Sequence, residues 1–211
     1  MKKSLLFVMS LTVALALAGG CCCNEFASLK PAGDVKLKNF YTDNMVFQRD
    51  MPIVVCGTAA PGGKVCVELN GSRGRAKVTA DGIWKVKLPP QPAGGPYQMT
   101  VKGSKQIVLK NIMLGEVWVC SGQSNMEFPV KKVYDAQKEI AAANYPNIRI
   151  YKVRKTLAPY GPKADVIGKW KVCSPKTIPN FSAVAYFFAK ELYDTYQVPI
   201  GLINASLGGS P

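Results

Sequence analysis

The stretch Gly115–Val130, which reads GEVWVCSGQSNMEFPV, decides the fold of this 211-residue chain. Within it, Val117–Cys120 is a short apolar run rich in valine and tryptophan, which predicts a buried strand rather than a helix. The small polar residues Ser121–Asn125 that follow are typical of a tight turn. A serine on the turn after a buried strand lies at the sheet edge where open α/β sheets bind ligands, so Ser124 is the candidate nucleophile.

The same pattern allows a purely structural role for Ser124. Serine is a favoured N-cap residue, and a strand, a turn and a serine often precede a helix in proteins of many kinds. The pattern alone therefore leaves both roles open, nucleophile and helix cap.

The stretch resembles the nucleophile block of the sialate O-acetylesterase family, within the SGNH (GDSL-like) hydrolases. In that family the serine of the GQSN motif attacks an ester, so the resemblance implies that Ser124 is the nucleophile of a carbohydrate O-acetylesterase acting on sialic acid or a related sugar. The resemblance extends from about Leu37 to the last residue. Its further segments follow in the family's order: Asn39–Val65, Asp81–Thr100, Asn180–Leu192 and Val198–Ser210.

The resemblance also implies an oxyanion hole. Ser124 would supply one backbone N–H, and a glycine of the second block, Gly208 or Gly209, would supply another. Without the resemblance, the glycine pair indicates only a tight turn. Gln123 and Asn125 are candidate substrate contacts, although Asn125 is also suited to anchor the turn. No zinc-ligand spacing occurs, so neither a metal nor a cofactor is expected.

A general base for Ser124 is missing from the sequence, which contains no histidine. The resemblance implies an Asp-x-x-His block and a further oxyanion block beyond Pro211. We therefore expect the chain to be an N-terminal fragment that does not turn over by itself. Lys131 or Lys132 could replace the histidine only if it were buried, with a lowered pKa. Two adjacent lysines just after a proline favour solvation instead.

Region 37–111 has the pattern of a small antiparallel β-sandwich. Short strands recur without a helix between them, and the turn dipeptides Asn70-Gly71 and Asp81-Gly82 separate neighbouring strands. Apolar residues alternate with lysines in Trp84–Leu88, as expected of a strand with one buried and one wet face. The predicted strands are Met45–Gln48, Ile53–Cys56, Lys64–Leu69, Arg75–Thr79, Trp84–Leu88, Tyr97–Val101 and Gln106–Leu109.

From Ile112 onward strands alternate with helices, which favours a parallel sheet with flanking helices. The resemblance implies that 112–211 is the truncated beginning of an SGNH-type α/β domain. The predicted elements are a strand at Val117–Cys120, a helix at Val133–Asn144, a strand at Asn147–Val153, a loop at Thr156–Thr177 bearing Trp170, a helix from Asn180 or Ser182, and a strand at Ile200–Ala205. In the last helix the residues at helical spacing are Val184, Phe187, Phe188, Glu191 and Leu192, and the two aromatics are predicted to form a core-facing stripe.

The chain is strongly basic, with 27 Lys and Arg against 13 Asp and Glu and a net charge of +14. The basic residues are scattered along the sequence rather than gathered in one stripe, which argues against nucleic-acid binding. A basic surface suits anionic glycans such as sialic acids. The expected partner is therefore an O-acetylated carbohydrate, and the sequence does not indicate an oligomeric state.

Met1–Gly20 is typical of a signal peptide. Lys2 and Lys3 precede the apolar core Leu5–Ala18, and small residues follow it. This core is too short for a membrane-spanning helix. Cys21 follows a loosely lipoprotein-like sequence, which leaves a lipid anchor open beside ordinary cleavage. We therefore expect an exported protein, either periplasmic or secreted.

Seven cysteines are present, and three of them lie at 21–23. Cys56 and Cys66 flank a turn-rich segment, so a disulfide between them is conceivable in an oxidising compartment. They also suit the role of two small apolar residues in a sheet, and this second interpretation is favoured.

Two other functions remain open from the sequence. An acetylxylan esterase would use the same mechanism on a neutral sugar. A non-catalytic carbohydrate-binding module could bind glycan through aromatic residues such as Trp84 or Tyr97. Both aromatics fit buried strand positions, however, and the GQSN motif would then have no purpose.

Overall fold

The computed structural model describes residues 28–156, 158–159 and 161–209. The expected signal peptide, Met1–Gly20, and Cys21 therefore lie outside the described residues. Within the described ranges the chain is mostly β-structure, with eleven strands and three α-helices, and its sheets are open. No helix in these ranges is long and apolar enough to cross a membrane.

Each of the seven strands predicted for region 37–111 overlaps an observed strand. The strands are β1 (Lys36–Leu37), β2 (Val46–Gln48), β3 (Ile53–Thr58), β4 (Lys64–Leu69), β5 (Ser72–Lys77), β6 (Ile83–Leu88), β7 (Gly94–Lys102), β8 (Gln106–Cys120), β9 (Tyr145–Lys152), β10 (Trp170–Cys173) and β11 (Ile200–Asn204). The α-helices are α1 (Ser124–Glu127), α2 (Ala136–Ala142) and α3 (Ala183–Tyr196).

Two antiparallel arrays share one hydrophobic core in the first half of the chain. One is the sheet β1–β3–β6, and the other is the run β5–β4–β7 that continues into β8. Burial alternates along β6, where Trp84, Val86 and Leu88 are buried while Lys85 and Lys87 are exposed. The buried faces of both arrays pack together, and removing this apolar surface from water is the main force that holds them.

Strand β8 takes part in both halves of the structure. Its first part pairs antiparallel with β7, and Glu116–Cys120 pairs in parallel with β11. The prediction of two separate strands here, at Gln106–Leu109 and Val117–Cys120, is wrong. The residues between them, Met113–Gly115, pair with β2, so the strand has a hydrogen-bonding partner along nearly its whole length.

The second half is built on a sheet in the order β10–β9–β11–β8. Strand β11 is parallel to both β8 and β9, so the three strands run in the same direction. Their carboxyl ends, Cys120, Lys152 and Asn204, consequently lie along one edge. This is the edge at which open α/β sheets bind ligands.

Strand β10 lies inside the segment predicted as a loop, Thr156–Thr177, so that prediction is wrong in part. It pairs antiparallel with β9. Trp170 is buried, and its ring lies 5.4 Å from that of Tyr151 and 5.6 Å from that of Phe40. This aromatic contact supplies the apolar burial that the Pro-, Gly- and Lys-rich composition of the segment does not suggest.

The two predicted helices occur where the sequence places them, with different ends, whereas the short helix α1 was not predicted. The helix predicted at Val133–Asn144 is the shorter α2, and a 3-10 turn at Val130–Lys132 precedes it. Helix α3 begins at the predicted cap, because the Ser182 hydroxyl accepts the backbone N–H of Ala185 at 3.1 Å.

The aromatic stripe predicted to face the core along α3 is wrong. Phe187 and Phe188 are each 39% exposed. Phe188 contacts Trp118 edge to face, with ring centres 5.2 Å apart. The buried face consists of small residues that let the helix approach the sheet, together with one tyrosine: Ala183, Ala185, Tyr186 and Ala189.

Cys56 and Cys66 are both free thiols. Cys56 lies on β3 and Cys66 on β4, and these strands belong to different sheets. The interpretation as small sheet residues is therefore confirmed.

A buried arginine joins the two halves of the structure. Arg149 of β9 is 3% exposed, and burial lowers the pKa of its guanidinium. It donates to the carbonyl of Pro146 at 2.8 Å, to the carbonyl of Asn111 at 3.4 Å and to the side-chain oxygen of Asn111 at 3.2 Å. It also reaches the carbonyl of Asn44 at 3.5 Å. Asn44 precedes β2 and Asn111 lies within β8, so one side chain ties three strands together.

We expect Arg149→Met to lower the free energy of unfolding by about 2–3 kcal/mol, because buried carbonyl groups lose a charged donor. Urea unfolding followed by tryptophan fluorescence measures this change. The matched control is Arg75→Met on β5, where the arginine is exposed, and a change within about 0.5 kcal/mol is expected. Equal stability of the two variants would contradict the bridging role of Arg149.

Candidate active site

Ser124 lies just beyond the carboxyl end of β8, on a tight turn. Gly122 adopts φ of +147°, a backbone conformation that side chains disfavour, and the turn leads directly into α1. The residue in the N-cap position of α1 is Gln123, and Ser124 is the first helical residue. Ser124 is exposed. The alternative in which Ser124 serves only as the helix cap therefore does not match the observed geometry.

The loop after β11 lies against this turn. The N–H of Ala205 donates to the Cys120 carbonyl, and the N–H of Leu207 donates to the Gly122 carbonyl, both at 2.9 Å. These two bonds extend the parallel pairing of β8 and β11 past the ends of the strands. The glycine pair predicted to belong to the site is thereby brought next to Ser124.

Gly208 makes the closest approach to Ser124. A Cβ atom on Gly208 would lie 3.4 Å from the Cα of Ser124 and 2.9 Å from a carboxylate oxygen of Glu127. The loop can pass this closely because residue 208 has no side chain. Gly209 has φ of +80° and lies in open space. The oxyanion roles of both glycines stay predictions.

Glu127 is a part of the site that the sequence did not reveal. Its carboxylate accepts the N–H of Gly208 at 2.6 Å and pairs with Lys155 Nζ at 2.5 Å. These contacts, with Lys155 the stronger, hold the pKa of the Glu127 carboxyl below its usual range. The spacing could have indicated its place near Ser124. Residues three apart lie on the same face of a helix, and Glu127 follows Ser124 by three.

The other candidate residues lie on the outside of the turn. Gln123 and Asn125 are exposed, and the carbonyl of Gln123 accepts the N–H of Glu127 at 3.0 Å. Their substrate contacts stay predictions. Ser121 donates its hydroxyl to the Ala205 carbonyl at 3.3 Å, which gives it a structural contact within the turn.

An open cleft of about 460 Å³ adjoins Ser124, and one side of it is basic. Lys131 and Lys132 line the cleft but are exposed, so they lack the burial that a lysine base requires. Lys152, at the end of β9, donates to the Asn180 carbonyl at 2.9 Å and also lines the cleft. The described residues contain no group of three or more His, Cys, Asp or Glu that could hold a metal ion.

Three curated sialate O-acetylesterases align with most of this chain. The protein from Rattus norvegicus is 34% identical over 193 residues, and those from Pongo abelii and Homo sapiens are 32% and 31% identical over 197 residues. The chain belongs to the sialate O-acetylesterase family. The aligned part is 81–83% of this chain but 35–38% of those proteins, so this family member spans less than half of their length.

A solved structure agrees with this assignment. The chain superposes on a carbohydrate acetylesterase from Xanthomonas citri with a TM-score of 0.82 and 39% identity. The match covers 84% of the present chain and 41% of the Xanthomonas chain. No protein-family model matches the sequence.

The contact between Glu127 and Gly208 predicts a pH-dependent amide signal. The pKa of Glu127 is lowered in the folded state, so the contact is fully present at neutral pH and is lost as pH falls through that lowered pKa. We expect the amide shift of Gly208 in ¹H–¹⁵N spectra to titrate in acid and to lose this titration in Glu127→Gln.

Glu191→Gln is the matched control, because Glu191 is exposed on α3. It should leave the Gly208 titration unchanged. A Gly208 amide that titrates identically in Glu127→Gln would show that another group controls it.

Proposed function

We propose that this chain is the nucleophile-bearing part of a carbohydrate O-acetylesterase that removes acetyl groups from sialic acid or a related sugar. One observation carries the proposal. Ser124 is exposed at the carboxyl edge of three parallel strands, with the Gly208 backbone against it, in a chain related to sialate O-acetylesterases. The Xanthomonas structure supports the coarser class, carbohydrate acetylesterase.

In the proposed reaction the Ser124 hydroxyl oxygen attacks the carbonyl carbon of the acetyl ester. The sugar leaves as an alcohol after taking up a proton, and an acetyl-serine forms. Water then attacks this acetyl group, releases acetate and restores the serine. Each half needs a group that accepts and returns a proton, and the chain contains no histidine for this task. We propose that a histidine outside this sequence supplies it, and that the chain alone does not turn over.

The proposed oxyanion site uses backbone donors. Ser124 is the first residue of α1, so its N–H has no acceptor within the helix. The N–H of Gly208 is occupied by Glu127, at 2.6 Å. Gly208 can therefore serve as the second donor only when the Glu127 carboxylate moves. Gly209, the next residue, lies in open space.

The finer architecture is also part of the proposal. We assign region 37–111 to a β-sandwich and region 112–211 to the opening of an SGNH-type α/β domain. The antiparallel pairings of the first region and the parallel pairings of β8, β9 and β11 support this division. We also propose export to the periplasm or the medium, from Met1–Gly20.

A carbohydrate-binding module is less well supported than an esterase. Trp84, one of the two aromatics considered for glycan stacking, is 1% exposed. Tyr97 is half-buried. An acetylxylan esterase remains the second candidate, because the name of the Xanthomonas protein gives no particular sugar. Acetate release from O-acetyl sialic acid against acetylated xylan separates the two.

Ser124→Ala should abolish acetate release in a longer form of the protein that contains the histidine. We expect kcat to fall about 10⁴-fold or more with unchanged folding, since a catalytic group that acts with its base is lost. Ser121→Ala is the matched control. It removes only the contact with the Ala205 carbonyl and should retain activity.

The 211-residue chain should show no more than trace hydrolysis of an activated acetyl ester. Robust turnover by the chain, lost on changing Lys131 or Lys132, would contradict the missing base and indicate a serine–lysine pair instead.

A further inference from the structure

A second cleft, of about 450 Å³, adjoins the Ser124 cleft on its β9 side. The two clefts share Lys152 and Asn180. The second cleft is lined by five basic side chains from the segment 152–176: Lys152, Arg154, Lys169, Lys171 and Lys176. The fold brings them together around one cleft.

Strand pairing explains the concentration. Lys171 of β10 lies opposite Ile150 of β9 in the antiparallel register, and alternate residues of a strand share a face. Lys169 is therefore on the same face as Lys171. Lys152 and Arg154 share that face from the β9 side. The fifth residue, Lys176, comes from the loop before α3.

The positive charge of this cleft is compensated only at one end within the described part of the chain. No Asp or Glu lines it. None of the five basic side chains forms an ion pair with a described carboxylate. Glu127 of the adjoining cleft is paired with Lys155, and its more distant electrostatic interaction with Lys152 offsets part of the charge there. A cleft lined by one sign of charge in this way raises the local concentration of the opposite charge, here of anions.

The floor of the cleft is apolar. Ile150 and Phe181 line it and are 3% and 2% exposed. Charged groups at the rim of such a cleft can pair with an acidic substituent of a sugar that lies over the floor. An exposed aromatic ring for stacking nucleobases is missing among its described lining residues, which disfavours single-stranded nucleic acid.

We propose that the two clefts form one continuous track for an anionic glycan. The sugar that bears the acetyl group lies at Ser124, and a neighbouring sugar with a carboxylate or sulfate lies in the lysine-rich cleft. Lys152 stands between the two positions. The proposal rests on the proposed esterase function and extends it from a single acetylated sugar to an acidic oligosaccharide.

Calorimetric titration of the chain with a galacturonate tetramer tests the track, with cellotetraose as the neutral probe of equal length. Lys169→Glu/Lys171→Glu should weaken binding of the acidic tetramer about tenfold or more. The matched control is Lys85→Glu/Lys87→Glu on β6, which makes the same charge change at the same spacing on an exposed face. It should leave the affinity within about twofold. If the double variant does not fold, Lys176→Glu provides the same test, because Lys176 lies outside any strand.

Three results would overturn the proposal: equal affinity for the neutral tetramer, equal loss in the β6 control, or tighter binding of a single-stranded DNA oligonucleotide than of the acidic tetramer. Intact binding of the acidic tetramer without acetate release in the longer protein would remove the esterase function alone. Acetate release without such binding would remove the track alone.

Discussion

The guanidinium of Arg149 is the constraint on which the two halves of the fold depend. A buried charge is costly unless its donors are satisfied, and here carbonyl oxygens satisfy them. That arrangement requires Asn44 and Asn111 to adopt positive φ, 67° and 58°, and to bond to each other at 2.7 Å. The cluster fixes where β8 leaves β7 and joins the parallel sheet, and so fixes where Ser124 emerges.

Much of this fold could be predicted from local patterns, because turn dipeptides and alternating burial are local properties. The strand at Trp84–Leu88 and the Ser182 cap are examples. The predictions were wrong where contacts with residues distant in the sequence decide the local structure. Trp170 forms a strand because it meets Tyr151 and Phe40, and α3 buries alanines because the sheet lies close.

The residues of the site also divide into those that local sequence indicates and those that depend on distant contacts. Ser124 was a candidate from its place on a tight turn after a buried strand, and the glycine pair entered only through the family resemblance. Glu127 was not a candidate, since its importance comes from Gly208, which is 81 residues away in the sequence and reaches it only through the pairing of β8 with β11. The lysine-rich cleft is likewise a product of the register between β9 and β10.

The length of β8 has a mechanical consequence. A single strand of 15 residues is shared by the antiparallel and parallel regions, so no flexible linker separates them and neither can swing like a lid over the other. Heat should therefore melt the two regions together in one cooperative transition.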